Sequence, residues 1–456
     1  MSIKLPRVNL ELDKTFAPAV LYFDKYEKEV KTTKDYENIT VVIERMDELS
    51  EKYETVIFNE KENKLEENLF YLEKLVKTLL WVYGGYKITI VGPEYIAKEL
   101  DQVFNTGART FDARFMERIY EKPFQVVHAD TVPEIKQNYE SIGKHFEGYR
   151  IGFDAGGSDM KVSAVVDGEA IHSEEIVWLP KLNSDPEYHK AQIRAAIQKA
   201  VDKMPRVDAL GVSSAGVYIK NQAKVASLFI QIPEDEFKKH ITNIYIDIAK
   251  ELNIPLEVAN DGEVTALAGS VSLKKNKLLG IAMGTSEAVG YVNGDGNLTG
   301  WLNELAFAPV DLQENATVDE WSLDRGVGCK YFSQDAVIRL AEAAGVVFEK
   351  DLTLAEKLKY VQNLGKDNEI FQNVFKTVGG YLAFGLAYYE LFYDIENVLL
   401  LGRVLSGDGG QLLVETCEQT LKEHFPELAK KIEISLPDEW TIRVGQSIVA
   451  SSLAKI

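Results

Sequence analysis

The chain has 456 residues, 46% of them hydrophobic and 27% charged, enough for two or three domains with their own cores. A formal net charge of −20 argues against nucleic acid or an anionic membrane as the main partner; it leaves room for a nucleotide, because a local nest of amides and Mg²⁺ can overrule the global field. Two cysteines, Cys329 and Cys417, cannot build a disulfide framework, and no apolar run approaches a membrane span, so a cytoplasmic location is expected.

Residues 1–148 mix acidic helices with short strands. Leu65, Leu69, Leu72, Val76 and Leu79 recur at helical spacing, and Gly84-Gly85 end that helix. "YKITIVGPEYIAKEL" then reads as strand, turn and helix, and no basic recognition helix follows. The pattern changes near Gly148. "IGFDAGGSDMKVSAVVDGEAI" (Ile151–Ile171) is a strand ending on Asp154, a turn at Gly156-Gly157-Ser158, and a second alternating strand. Its Asp167-Gly168 pair signals a two-residue hairpin into a third strand.

An amphipathic helix, "KAQIRAAIQKAVDKM", precedes the buried strand and glycine loop of "RVDALGVSSAGVYI". "ITNIYIDIAKEL" is a helix, "PLEVANDG" a strand with a turn, and "EVTALAGSVSL" a helix of small residues. "KLLGIAMGTSEAVGYVNGDGNLTG" repeats the opening device, an apolar strand running into Gly284-Thr285-Ser286 and then back. In "ENVLLLGRVLSGDGGQLLVE" a leucine strand reaches Gly402, and Gly409-Gly410 open a helix. The six histidines are scattered, with no HExxH pair, which counts against zinc hydrolysis.

Each of these features has two readings. A strand that ends on a carboxylate and two glycines is a tight hairpin with a solvated Asp. Alternatively, it is a bend whose backbone N–H groups close on a phosphate while the Asp holds a metal. Asp261, between a buried strand and a helix, is a capping residue or a carboxylate that takes the proton from a substrate hydroxyl during phosphoryl transfer. The Gly409-Gly410 helix start sits on an adenine or ribose, or is an ordinary turn.

Together and in this order, the pieces from about residue 149 to 456 resemble the ROK family of sugar kinases and sugar-binding regulators, within the actin–hexokinase–Hsp70 ATPase superfamily. "DAGGSD" is similar to its first phosphate loop, and "GTSEAVGYVNGDG" to its second, with Ser286 where Gly is usual. "VANDGEVTALAG" resembles the stretch that carries the catalytic base, placing Asp261 on that base and Asn260 on a sugar-binding Asn. "GWLNELAF" resembles the GxxGEIGH motif, placing Glu304 on the Glu that holds sugar hydroxyls, and "SSAGVY" keeps Gly216 of the loop beside the sugar.

The resemblance implies two ribonuclease-H-like α/β lobes around a cleft: 149–270 with the first phosphate loop and the base, and 271–456 with the second phosphate loop and the adenosine loop. Residues 1–148 would be an added α/β domain. It implies ATP and Mg²⁺, with Asp154 holding the metal through water. Gly156, Gly157, Ser158, Gly284, Thr285 and Ser286 would surround the phosphates, and Gly402, Gly409 and Gly410 the adenosine. A small sugar-like acceptor and a homodimer are also implied, and the expected activity is a sugar kinase; a silent sugar or nucleotide sensor, or a scaffold, is the alternative. Three departures bear on the sugar side. Phe307 replaces the motif's His, Ala259 replaces the Glu before Asn-Asp, and the CxCGxxGC zinc loop is absent, so no stoichiometric zinc is expected. Phe307 and Trp301 are candidates to floor a pocket for a larger or less polar acceptor.

Overall fold

Hydrogen-bonded pairing sorts the strands into three larger sheets in a computed structural model that describes residues 3–137, 142–157, 159–437 and 445–456. Ser158, expected in the first phosphate turn, lies outside these residues. The N-terminal segment runs α1 (Ala19–Thr32), β1 (Tyr36–Glu44), β2 (Ser50–Phe58), α2 (Leu65–Tyr83), β3 (Lys87–Val91), α3 (Glu94–Asn105), α4 (Thr110–Tyr120) and β4 (Gln125–Ala129). Its sheet has the order β2-β1-β3-β4, antiparallel except for the β3–β4 pair. Helix α2 stops at Gly84, whose positive φ of 74° carries its amide back to the Leu80 carbonyl.

The second sheet contains β5 (Tyr149–Ala155), β6 (Asp159–Val166), β7 (Glu169–Val177), β8 (Ala209–Ser214) and, beyond the small hairpin β9 (Val217–Ile219)–β10 (Gln222–Val225), β11 (Leu256–Asn260). The order is β11-β8-β5-β6-β7. Strands β8 and β11 run parallel to β5, and β6 and β7 turn back antiparallel. The Asp167-Gly168 turn takes positive φ at both residues, 50° and 85°, as a primed hairpin turn requires. Helices α5 (Pro186–Val201), α6 (Glu234–His240) and α7 (Ile244–Leu252) cover this sheet.

Helix α8 (Asp261–Leu273) leads to β12 (Leu278–Met283) and β13 (Glu287–Val292). Beyond them come α9 (Gln334–Ala343), α10 (Leu354–Gln362), α11 (Glu369–Tyr389), β14 (Asn397–Leu401), α12 (Asp408–His424), α13 (Pro426–Lys431) and β15 (Glu433–Ser435). The third sheet, β13-β12-β14-β15, repeats the plan of the second: an antiparallel hairpin whose first strand has a parallel neighbour. The small residues of α8 are there to be approached. A Cβ on Gly290 would stand 2.3 Å from the Gly262 carbonyl, and one on Gly280 would press on Ala266 at 3.0 Å. Thus α8 leaves β11 of the second sheet and lies on the third. The last helix, α14 (Gln446–Ala450), returns to the second sheet, where only glycine fits beneath it: a Cβ on Gly152 or Gly211 would stand 1.7 Å from the Ser447 or Ala450 carbonyl. The lobe built on the second sheet is therefore not one unbroken stretch of chain.

Candidate active site

Asp261 stands where β11 ends and α8 begins, at the junction of the two sheets. The N-cap is the residue before it: Asn260 accepts from the Gly262 amide at 2.7 Å and donates to the Gly216 carbonyl at 2.8 Å. The cap reading of Asp261 is thereby largely answered, because its neighbour does that work, although one Asp261 oxygen also lies 3.0 Å from the Gly262 amide. Gly216 holds its place in this arrangement through a φ of 133°, with a Cβ position only 2.3 Å from the Val225 carbonyl.

On one side of Asp261 lies Asp154, at the end of β5. Its carboxylate accepts from the Ser213 hydroxyl at 2.7 Å, and Gln446 of α14 donates to that same hydroxyl oxygen at 3.0 Å and to the Asp261 carbonyl at 3.1 Å. Burial pushes Asp154 up to about 6, with the Asp261 charge adding to the shift. A buried carboxyl held this way gains from a cation beside it, which is what a Mg²⁺-positioning group requires. Among the described residues no three His, Cys, Asp or Glu side chains form a metal-binding group.

The two hairpin turns follow β5, which carries Asp154, and β12 of the third sheet. The Gly156 and Gly284 amides are spent within their own turns, on the Asp159 and Ser286 carbonyls at 2.9 and 3.0 Å. The amides of Gly157, Thr285 and Ser286 donate to no group among the described residues, and all three residues are exposed. A Cβ on Gly284 would meet only the Ser286 carbonyl, at 3.9 Å, so the space in front of it is open. Sequence reasoning missed Lys181. Its ammonium lies 3.7 Å from the Cβ position of Gly157, and its charge pulls Asp261 down against the larger upward push of burial. A lone lysine in a loop carries no pattern that would have revealed it.

On the other side of Asp261 is a cavity of about 180 Å³ whose wall includes Gly216, Asn260, Glu263, Trp301 and Glu304. Burial lifts Glu304 to about 7, helped by the charges of Asp261 and Glu263. Glu263 is also raised to about 7 by burial, against a hydrogen bond from Asn303 at 3.2 Å. Near neutral pH such carboxyls both donate and accept, which suits a hydroxyl-rich ligand. Glu263 was not singled out from the sequence, although its i+3 spacing from Asn260 puts the two on one helical face. Trp301 lines the cavity as expected. Phe307 does not: its ring packs against Trp81, Phe111 and Trp321, with centroids 4.5 to 6.1 Å apart, in an apolar seam with the N-terminal segment. The motif's His position has become core.

A second, open cleft of about 550 Å³ lies between α10 and the start of α12, lined by Gly407, Asp408 and Gly409 among others. Gly402 and Gly410 are not on its wall, and close packing accounts for both. A Cβ on Gly402 would stand 2.3 Å from the Met283 carbonyl, and one on Gly410 2.0 Å from the Leu405 carbonyl. Gly409 does both jobs, since its Cβ position is also blocked by Phe375 at 2.5 Å.

No family model and no curated protein sequence matches this chain. Solved structures do match. A ROK hexokinase from Thermus thermophilus superposes with a TM-score of 0.52 at 17% identity, over 67% of this chain and 97% of that one. A ROK family transcriptional regulator, a homologue of the E. coli MLC protein, superposes with a TM-score of 0.51 at 16% identity, over 68% of this chain and 79% of that one. Over about two thirds of its length the chain therefore has the two-lobed α/β fold of ROK proteins, a fold shared by a kinase and a regulator. No helix among the described residues is long and apolar enough to cross a membrane.

Proposed function

We propose that the chain is an ATP-dependent kinase that transfers a phosphoryl group to a hydroxyl of a sugar or sugar-like small molecule. The observation that carries this reading is the position of Asp261. Its charge acts on Asp154 at one end and on Glu304 at the other, between the free hairpin amides and the carboxyl-lined cavity. Asp261 takes the proton of the acceptor hydroxyl as that oxygen bonds to the γ-phosphorus and ADP departs. Lys181 and the amides of Gly157, Thr285 and Ser286 hold the phosphate oxygens, and Asp154 positions the metal through water. Bound Mg²⁺ supplies neutralisation of phosphate charge. Glu304, Glu263 and Asn260 orient the acceptor, and the α10–α12 cleft takes the nucleoside. Superposition on a hexokinase supports this reading by fold alone.

Asp261→Asn tests it. The change keeps size and leaves Asn260 as the cap, so the fold and nucleotide affinity should hold while turnover falls by ~10² or more. The assay is transfer from labelled ATP across neutral, amino and acidic sugars. Full turnover by the variant would end the mechanism. A second reading, a sugar sensor without turnover, is favoured by the shared fold of the regulator. Under it, a sugar would stabilise the protein while no acceptor consumed ATP.

A further inference from the structure

The acceptor cavity is not built from the two lobes alone. Arg45, Leu49 and Tyr120, all from the N-terminal segment, form part of its wall. Arg45 leaves the end of β1, and its main-chain amide donates to the Leu49 carbonyl at 2.8 Å. That bond ties the turn between β1 and β2 and fixes where the side chain starts. The guanidinium is 5% exposed. Its single hydrogen bond among the described residues is a long one, 3.5 Å from Nη2 to Glu51 Oε1. Glu51 is well supplied without it, accepting from Trp301 Nε1 at 3.1 Å and from the Gln137 amide.

A guanidinium has five N–H donors, cannot lose its proton, and is costly to bury without acceptors. Most of Arg45's donors are therefore unspent, on the wall of a cavity. The other cation on that wall, Lys220, is an exposed side chain already paired with Asp47 at 2.6 Å. Glu263 and Glu304 sit near Asp261, and their raised affinity for protons is not relieved by Arg45. The cavity wall thus carries the carboxyls Glu263 and Glu304, with Glu257 and the Lys220-paired Asp47, and one buried guanidinium, Arg45.

We infer that the acceptor is an anionic polyhydroxy compound, of the sugar-acid class, whose carboxylate is held by Arg45 while its hydroxyls face Glu263, Glu304 and Asp261. Planar guanidinium and carboxylate match in a two-pronged pair, and a carboxylate takes up the donors that the one long Glu51 contact leaves, with a charge-assisted strength a neutral hydroxyl lacks. Placement of Arg45 makes the N-terminal segment a specificity wall for the site. The inference rests on the reading of this cavity as the acceptor site; it does not require that transfer occurs.

Calorimetry on the full chain, without nucleotide, compares D-gluconate and D-glucuronate with D-glucose. At least one acid should bind about tenfold or more tighter than the neutral sugar. Arg45→Gln should abolish that preference, the acid losing about tenfold or more in affinity and glucose much less, while Arg45→Lys keeps part of it. Glu51 retains its Trp301 and Gln137 donors in Arg45→Gln, so the fold should survive. Should that variant not fold, the ligand comparison on the parent still decides. If glucose equals or exceeds both acids, or neither acid binds, the inference is overturned. Phosphorylation of a neutral sugar beside that result would leave the kinase reading standing. Conversely, Arg45-dependent acid binding with no ATP consumed by any acceptor would retain the acid site and remove the kinase.

Discussion

The two lobes are sealed in different ways. The β5–β8 lobe closes on itself: Ile151, Phe153, Ile193, Ile197, Tyr245 and Ile248 form a core drawn only from its own sheet and helices. The β12–β15 lobe does not. Its α11 side chains, Tyr381, Phe384, Tyr388 and Tyr389, share one continuous core with Phe16, Phe23, Tyr71 and Trp81 of the N-terminal segment. Ring contacts such as Phe23–Tyr388 at 5.2 Å and Phe16–Tyr381 at 4.8 Å cross that boundary. Toward the other lobe that core reaches only the small β9–β10 hairpin, taking in Val217 with Ile219 and Val225 packed against it, and two ion pairs, Asp47 to Lys220 and Glu121 to Lys224, lie alongside. The N-terminal segment therefore shares a broad core with one jaw and a narrow contact, through one hairpin, with the other. If the cleft opens, Arg45 travels with the β12–β15 lobe and Asn260 with β11.

The largest effect should come from breaking the bonded side. Lys77 of α2 is fully buried and pairs with Asp112 at 2.7 Å and with Asp324, from the β12–β15 half of the chain, at 2.9 Å. Arg109 bonds the same Asp324. Lys77→Met leaves those carboxylates short of a cation, and removing one partner of a buried network costs about 3–5 kcal/mol. Because the core is shared, amide exchange should rise in α11 as well as in α2, while β5 and β8 stay protected. Opening of α2 with α11 still protected would show two independent units where the packing makes one.

A smaller effect is expected from acidity. Burial raises Glu287 to about 8, with the Glu304 charge adding to it, and its one hydrogen bond among the described residues is from Tyr389 at 3.2 Å. Glu263 and Glu304 are raised to about 7. An unfolded glutamate loses its proton near 4.5, so in the folded chain these groups keep protons that the unfolded chain has released. Their contribution to stability is full below about pH 4.5 and is lost as pH rises through 7 and 8. The melting temperature should fall between pH 6 and pH 9, and less steeply in Glu287→Gln, which mimics the protonated acid. Equal slopes for parent and variant would mean that Glu287 is ionised in the fold.

Much of this architecture was legible because it is local. The Asp167-Gly168 turn, the stop at Gly84, and the two hairpins each depend on residues within a few positions of one another. Asp154, Asn260, Asp261 and Glu304 stand out as candidates because they sit at strand ends and motif positions that a short window displays. What stayed hidden depends on closure over long distances. Arg45 joins the cavity from more than 170 residues before Gly216. Gln446 reaches Asp261 from a helix that follows another lobe entirely. The choice of Asn260 over Asp261 as the cap turns on one residue of register, which propensity does not resolve, since both cap well. Phe307 reads as a substitution in a sugar motif; its partners Trp81 and Phe111 lie in the segment that the resemblance does not cover.

The smallest effect should come from the ion pair on the narrow side of the N-terminal segment. Lys220 and Asp47 meet at 2.6 Å across the cavity mouth, with side chains 53% and 61% exposed. Exposed pairs of this kind contribute about 0–1 kcal/mol, because water screens the charges and two long side chains must be held still. Lys220→Ala should therefore shift the melting temperature little, and raising salt should erase even that difference. Its partner-free control is Asp47→Ala, and the double variant measures the coupling between them. A coupling near zero keeps the contrast between the two sides of the segment. A coupling of several kcal/mol, persisting at high salt, would mean that the mouth is clamped rather than apposed. The cleft would then have to break that clamp to open, and the two sides would no longer differ in kind.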